Sequence, residues 1–110
     1  MKNGWLMTLV IPLLLLLACA SAQERRQDYV DEHPELPQKI ASAIMEGSIT
    51  KEMSKDEVRA AWGEPKRATL TLERGVEQDV WSYEAPVGKE FKEGTVILTF
   101  TNGKLISLIN

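Results

Sequence analysis

The chain has 110 residues, of which 44% are hydrophobic and 26% charged, as is typical of one small folding domain. The formal net charge is −3 and no basic run is present, which argues against nucleic-acid binding. A single cysteine and a single histidine exclude an internal disulfide and a Cys/His zinc site. They also leave no additional cysteine or histidine for a catalytic Cys-His or Ser-His-Asp arrangement. We therefore expect a protein that is not an enzyme, carries no metal or other cofactor and takes no small-molecule substrate.

Residues 1–18 have the pattern of a secretory signal peptide. Lys2 supplies a basic start, residues 5–17 are apolar apart from Thr8, and small residues follow. The apolar run covers about 13 residues, fewer than the roughly 20 that span a bilayer. That length disfavours the alternative of an uncleaved membrane anchor.

Two cleavage sites compete at the end of this segment. Residues 16–19, Leu-Leu-Ala-Cys, resemble a bacterial lipobox, in which cleavage before Cys19 is followed by acylation of that cysteine. Three acyl chains, at about 0.8 kcal/mol per buried CH₂, would make such an anchor permanent. Residues 20–22, Ala-Ser-Ala, instead fit ordinary signal peptidase, which would release a soluble periplasmic protein beginning at Gln23. We favour lipidation at Cys19, and Ala20 after it resembles the Gram-negative signal for the outer membrane.

The segment 19–28 is polar and aperiodic, so it is predicted to be a lipidated tether before a domain at 29–110. Arg25 and Arg26 within it fit a solvated linker better than a contact with anionic head groups. Without residues 1–18, the chain keeps 12 basic and 16 acidic residues, a net charge of −4.

A first helix is predicted over residues 37–46. Pro37 suits a first helical position, and an apolar stripe at i, i+4 passes through Leu36, Ile40 and Ile44. Gly47 is the expected residue just past the helix end.

A second helix is predicted over residues 55–62. Ser54 and Glu57 form a capping-box pattern, and Met53 with Val58 form a hydrophobic staple around it. Gly63 ends the helix. Two turns are marginal alone, so the helix needs tertiary packing.

Alternating apolar residues predict strands over 68–72, 80–83, 95–101 and 104–109. Asn102-Gly103 indicates a type I′ hairpin between the last two strands. The predicted fold is therefore α+β: two short helices packed on a three- to four-stranded antiparallel sheet, an α-α-β-β-β two-layer sandwich.

The hairpin turn also predicts a register. It pairs Phe100 with Leu105 and Leu98 with Ser107 on one face, and it places Ile97, Ile106 and Leu108 on the other. Those three residues would form an apolar patch, which is either a contact surface or is covered by the N-terminal segment.

Ordered motifs along residues 29–109 resemble the SmpA/OmlA (BamE-like) family of small outer-membrane lipoproteins. The motifs are Ala43-Ile44 with Gly47-Ser48-Ile49, Met53-Ser54 with Glu57-Val58, Trp62-Gly63-Glu64-Pro65, Trp81-Ser82-Tyr83 and Phe100-Thr101-Asn102-Gly103-Lys104-Leu105. One departure is Glu52, where the family usually has glycine before the methionine. The resemblance implies the α-α-β-β-β fold and a scaffold or binding role at the outer membrane, with barrel-assembly subunits as partners. It implies no catalysis.

Three aromatic residues are candidates for partner contact. Trp81 and Tyr83 share one strand face, and Phe91 lies in a charged loop. Packing within the core is the alternative for each of them. His33 has no second metal ligand in the sequence and is predicted to be a surface residue.

A second function class stays open. β-Lactamase-inhibitor proteins use similar units of a helix pair on a sheet, so a periplasmic inhibitory or ligand-binding module is the alternative to a membrane-anchored scaffold. A soluble form beginning at Gln23 would favour that alternative.

Overall fold

The computed structural model describes residues 21–110. Within them, three helices precede a four-stranded antiparallel sheet of order β1-β2-β3-β4, which confirms the predicted α+β class. The helices are α1 over residues 21–32, α2 over Gln38–Glu46 and α3 over Lys55–Trp62. The strands are β1 over Arg67–Glu73, β2 over Val76–Glu84, β3 over Thr95–Thr101 and β4 over Lys104–Ile109.

Local sequence signals set the C-terminal end of α2 and both ends of α3 as predicted, whereas α2 begins one residue later than predicted, with Pro37 as its N-cap. Gly47 follows α2 in the left-handed region, with φ of 74°, a conformation that glycine adopts without a steric penalty. At the start of α3, the Ser54 side chain accepts a hydrogen bond from the Glu57 amide at 3.1 Å. The Glu57 carboxylate accepts one from the Ser54 amide at 2.9 Å, which completes the capping box.

The loop between α2 and α3 holds Glu52 in a conformation that suits glycine. Its φ is +77°, and its amide donates to the Leu105 carbonyl at 2.7 Å. A side chain at such an angle is strained, because Cβ approaches the following carbonyl oxygen. Glycine at position 52 would be free of this strain.

The predicted register of the last hairpin is right at the turn and wrong beyond it. Phe100 pairs with Leu105 as predicted, but a bulge follows between Thr99 and Phe100. Thr99 pairs with Ser107, so Ile106 is an extra residue in β4. The strand beyond it therefore shifts by one residue, and Leu98 faces Leu108 instead of Ser107.

The prediction of an aperiodic tether is wrong for residues 21–28. They belong to α1, which is helical throughout residues 21–32. Tyr29 and Val30 of this helix pack against the buried core. The packed structure therefore begins earlier than the predicted boundary at residue 29.

The core lies between the helices and one face of the sheet. Side chains at alternate positions of β2 and β3 point into it, as the burial patterns of both strands show. Its largest fully buried side chains are Trp81, Phe100, Ile44, Met53, Leu98, Leu105, Val58 and Val96. Among residues 21–110, no helix is both long and apolar enough to cross a membrane.

Candidate functional site

The aromatic residues predicted as contact candidates lie inside the protein. Trp81 is fully buried and Tyr83 is 4% exposed, so the prediction of an exposed contact is wrong for both. Phe91 is half-buried and packs against the core. Trp81 and Tyr83 sit on the helix-facing side of the central strand β2, the position where large side chains bury the most area.

These aromatic residues join the helix ends to the sheet. The Trp62 indole Nε1 donates to the Gly47 carbonyl at 2.8 Å, and the Tyr83 hydroxyl donates to the Gly63 carbonyl at 2.8 Å. The Trp62 ring meets the rings of Tyr83 and Phe91 edge-on, with centroids 5.2 and 5.7 Å apart. Both acceptors lie just past a helix end, where carbonyl groups lack helical partners.

Burial changes the acidity of one of these groups. It raises the pKa of the Tyr83 phenol well above its usual value, and the nearby Glu64 carboxylate adds to that effect. The phenol therefore stays protonated, and remains a hydrogen-bond donor, at alkaline pH values at which a free phenol would ionise.

The arginines predicted to lie in a tether instead bind the end of α3. Arg26 Nε donates to the Ala61 carbonyl at 2.9 Å, and Arg25 Nε donates to the Ala60 carbonyl at 3.1 Å. These carbonyls belong to the last turn of α3, where cationic side chains are favoured. Burial, and secondarily the charge of Arg25, lowers the pKa of Arg26. The adjacent basic pair was visible in the sequence, but its carbonyl partners were not.

An open cleft of about 680 Å³ lies between α1 and α3. Arg59 stands on one side of it, stacked over the Trp81 ring at 4.6 Å and bridged to Asp56 and Glu64 at 3.3 Å each. Charged side chains of both signs line the cleft. Its two arginines, Arg25 and Arg59, are already bonded to a backbone carbonyl and to carboxylates, respectively. The charged residues of the lining are Glu24, Arg25, Asp28, Glu32, Asp56, Arg59 and Glu64.

A charged cluster lies where α3 meets β2. Lys55 Nζ lies 3.0 Å from the Asp79 carboxylate and 3.1 Å from that of Glu77. Burial lowers the pKa of Lys55, but the hydrogen bonds to Asp79 and Glu77 outweigh it and raise the pKa overall. Among the described residues, Asp79 is the charged residue that is buried, with 7% of its surface exposed. The ammonium group of Lys55 compensates its charge.

The predicted apolar patch of Ile97, Ile106 and Leu108 does not form as one surface. Leu108 turns toward the core because of the bulge and packs against it, so its assignment to the opposite face is wrong. Ile106 is 48% exposed and Ile97 is half-buried. The sheet face that points away from the helices is called the outer face below. On it, Ile97 of β3 pairs with Ile109 of β4, and Val80 lies on the neighbouring strand β2.

The exposed apolar side chains of the described residues are concentrated on the sheet. β1 is an edge strand in which all seven side chains are exposed. Leu70 and Leu72 lie on its helix-facing side, opposite Asp79 and Glu77 of β2, and are 60% and 75% exposed. Together with Val80 and Ile109 on the outer face, they are the features of the described surface best suited to a protein partner.

The remaining site predictions concern metals and the lipid anchor. Residues 21–110 contain no group of three or more His, Cys, Asp or Glu side chains arranged to hold a metal. His33 stacks on Tyr29 with ring centroids 4.0 Å apart, and its Nδ1 lies 2.8 Å from the Tyr29 carbonyl oxygen. Cys19, the predicted lipidation site, lies outside the described residues.

The geometry defines a small α+β domain that presents an exposed sheet edge and a partly apolar outer face. Comparisons of the chain with protein-family profiles, with curated proteins and with solved structures found no match.

Proposed function

We propose that this chain is a lipid-anchored, non-catalytic binding protein of the bacterial outer membrane, facing the periplasm. Its role would be that of a scaffold accessory to β-barrel assembly or envelope integrity. The observation that carries the proposal is the Leu-Leu-Ala-Cys pattern at 16–19, which places the single cysteine of the chain directly after an apolar signal segment.

The position of α1 makes this proposal geometrically specific. Residue 21 is already helical, so one residue, Ala20, separates it from Cys19. Two extended residue steps reach about 7 Å at most. A lipid on Cys19 would therefore hold the folded domain close to the head groups instead of on a long tether.

The fold supports the family resemblance on which the proposed role depends. Its α2, α3 and following strands have the order that the resemblance implies, with one further strand and α1 in addition. The left-handed backbone at Glu52 suits the glycine typical of the family. By this resemblance, barrel-assembly subunits are the proposed partners, and the outer face around Val80 is the surface proposed to bind them.

Lipidation is tested by metabolic labelling with an alkyne fatty acid, followed by membrane fractionation and mass determination of the mature N-terminus. We expect the intact chain to be labelled and to begin at acylated Cys19, and Cys19→Ser to lose both label and membrane association. An unlabelled, soluble protein beginning at Gln23 would overturn the proposal and favour the inhibitory or ligand-binding module.

The scaffold role is tested by affinity purification of the C-terminally tagged chain from detergent-solubilised envelopes. We expect barrel-assembly subunits in near-stoichiometric amounts and their loss in Val80→Glu, which places a charge on the outer sheet face. Lys39→Glu is the matched control, because Lys39 is exposed and belongs to α2 instead of the sheet. Equal recovery with both variants would refute the assignment of this face.

A further inference from the structure

Within residues 21–110, the outer edge of strand β1 pairs with no other strand. The strand pairs with β2 without interruption through seven residue pairs, and no proline or bulge breaks it. Alternate residues of an edge strand direct their N–H and C=O groups away from the sheet, where they can pair with another strand. The other edge is less available, because β4 contains the bulge at Ile106 and its first residue, Lys104, forms a bridge with Ser54.

The sequence of β1, Arg-Ala-Thr-Leu-Thr-Leu-Glu, complements itself when two copies run antiparallel. With Leu70 opposite its own copy, Arg67 faces Glu73 at both ends of the paired segment. Thr69 then faces Thr71, and Ala68 faces Leu72. Leucines therefore meet on the helix-facing side and threonines on the outer side, which preserves the two-sided pattern of the sheet.

We infer that β1 pairs with β1 of a second copy of this chain, antiparallel and centred on Leu70. The pairing is isologous, with a two-fold axis through the Leu70 pair, and it joins the four strands of each copy into one sheet. This interface goes beyond the proposed function, since it uses the strand edge and not the outer face or the lipid anchor.

The charges of Arg67 and Glu73 favour this register. Neither Arg67 nor Glu73 forms an ion pair within residues 21–110, so both are available to a partner. A shift of two residues in one direction places Arg67 opposite Thr71, and the reverse shift places Glu73 opposite Thr69. Only the register centred on Leu70 matches both terminal charges and pairs all seven residues.

The first test is charge reversal in the full chain, followed by sedimentation in detergent across a concentration series. The starting protein should dimerise, and Arg67→Glu should weaken dimerisation on the order of tenfold or more, because each end then opposes two carboxylates. The double variant Arg67→Glu with Glu73→Arg should restore the dimer to within about threefold. A monomer at all concentrations, or a failure of the double variant to restore the dimer, would overturn the inference.

The second test is cross-linking through cysteines placed in a Cys19→Ser background. Directly opposed residues of antiparallel strands have Cα atoms about 4.5 to 5.5 Å apart, within the range of a disulfide. Leu70→Cys should therefore give a covalent dimer on mild oxidation. Thr71→Cys should not give a covalent dimer. In this register residue 71 faces residue 69 of the second copy, so the two introduced cysteines lie two residues out of alignment. Equal cross-linking at both positions, or no cross-link at Leu70→Cys, would contradict the register.

A matched pair of lysine variants tests which edge is used. Leu70 and Ile109 are 60% and 61% exposed on the two edge strands, so Leu70→Lys and Ile109→Lys are comparable changes. Leu70→Lys should dissociate the dimer and Ile109→Lys should leave it intact, whereas the opposite result would assign the dimer to β4. The cross-linking background lacks Cys19, so dimerisation is measured there in a protein that cannot be lipidated. A failure of dimerisation is therefore distinguished from a failure of lipidation.

Discussion

Replacing Arg26 by alanine tests whether α1 is an integral part of the folded domain. The change removes a hydrogen bond of 2.9 Å from the guanidinium to the Ala61 carbonyl at the end of α3. Hydrogen bonds from charged groups contribute about 1.5 to 3 kcal/mol, and the partial exposure of Arg26 places this one at the low end, about 1.5 kcal/mol. A domain of this size loses about 4–8 °C of melting temperature per kcal/mol, so Arg26→Ala should lower it by about 6–12 °C.

The assay is thermal unfolding of the full chain in detergent, followed by circular dichroism. Arg25→Ala should have a smaller effect, because Arg25 is exposed and its bond to the Ala60 carbonyl is longer, at 3.1 Å. Lys39→Ala is the control, since Lys39 is exposed on α2, and it should change the melting temperature little. The reasoning would be refuted if Arg26→Ala and Lys39→Ala melted within about 2 °C of each other.

Three further substitutions test individual parts of the fold by urea unfolding. Tyr83→Phe should cost about 1 kcal/mol at pH 7 through its lost hydrogen bond. Because the folded-state pKa of Tyr83 is raised, its contribution is complete below about pH 10 and is lost progressively as the pH rises from there through the folded-state pKa, so the variant should show a weaker alkaline decline. Gly88→Ala should destabilise the protein by about 2 kcal/mol or more, because φ is +64° and the new Cβ would lie 2.8 Å from Trp62 Nε1; no loss would contradict this contact. Glu52→Gly should stabilise it by about 1 kcal/mol by relieving the strain at φ +77°, whereas destabilisation would show that the side chain compensates for it.

The sequence predicted what depends on local chemistry and missed what depends on distant contacts. The bounds of α3 follow from a capping box and a terminal glycine, and both lie within a few residues of the helix. The bulge at Ile106 has no comparable local signal, because Ile106 and its neighbours alternate as any strand does. Its effect on Leu108 appears only when β4 is paired with β3.

The candidate site shows the same division. The sequence places Trp81 and Tyr83 on one strand face, but a strand face alone does not indicate whether helices cover it. In the fold this face is buried. The exposure of Leu70 and Leu72 arises because β1 is the edge strand, which is a property of strand order. The strand itself was predicted, whereas its unpaired edge required the complete sheet.

The docking of α1 links the stability of the domain to the reach of the proposed lipid anchor. With α1 packed, residue 21, the first residue that the structure describes, is separated from Cys19 by at most about 7 Å of chain. If α1 detached and residues 21–32 became extended, the same anchor would allow the domain to move about 40 Å further from the membrane. The hydrogen bonds of Arg25 and Arg26 oppose that release, because they hold α1 on the end of α3. A variant such as Arg26→Ala would therefore favour release of α1, and with it a larger distance of the binding surface from the membrane, without altering the surface itself. On this reasoning, recovery of partners from intact envelopes should fall more than binding by the same variant in detergent, where membrane distance has no effect.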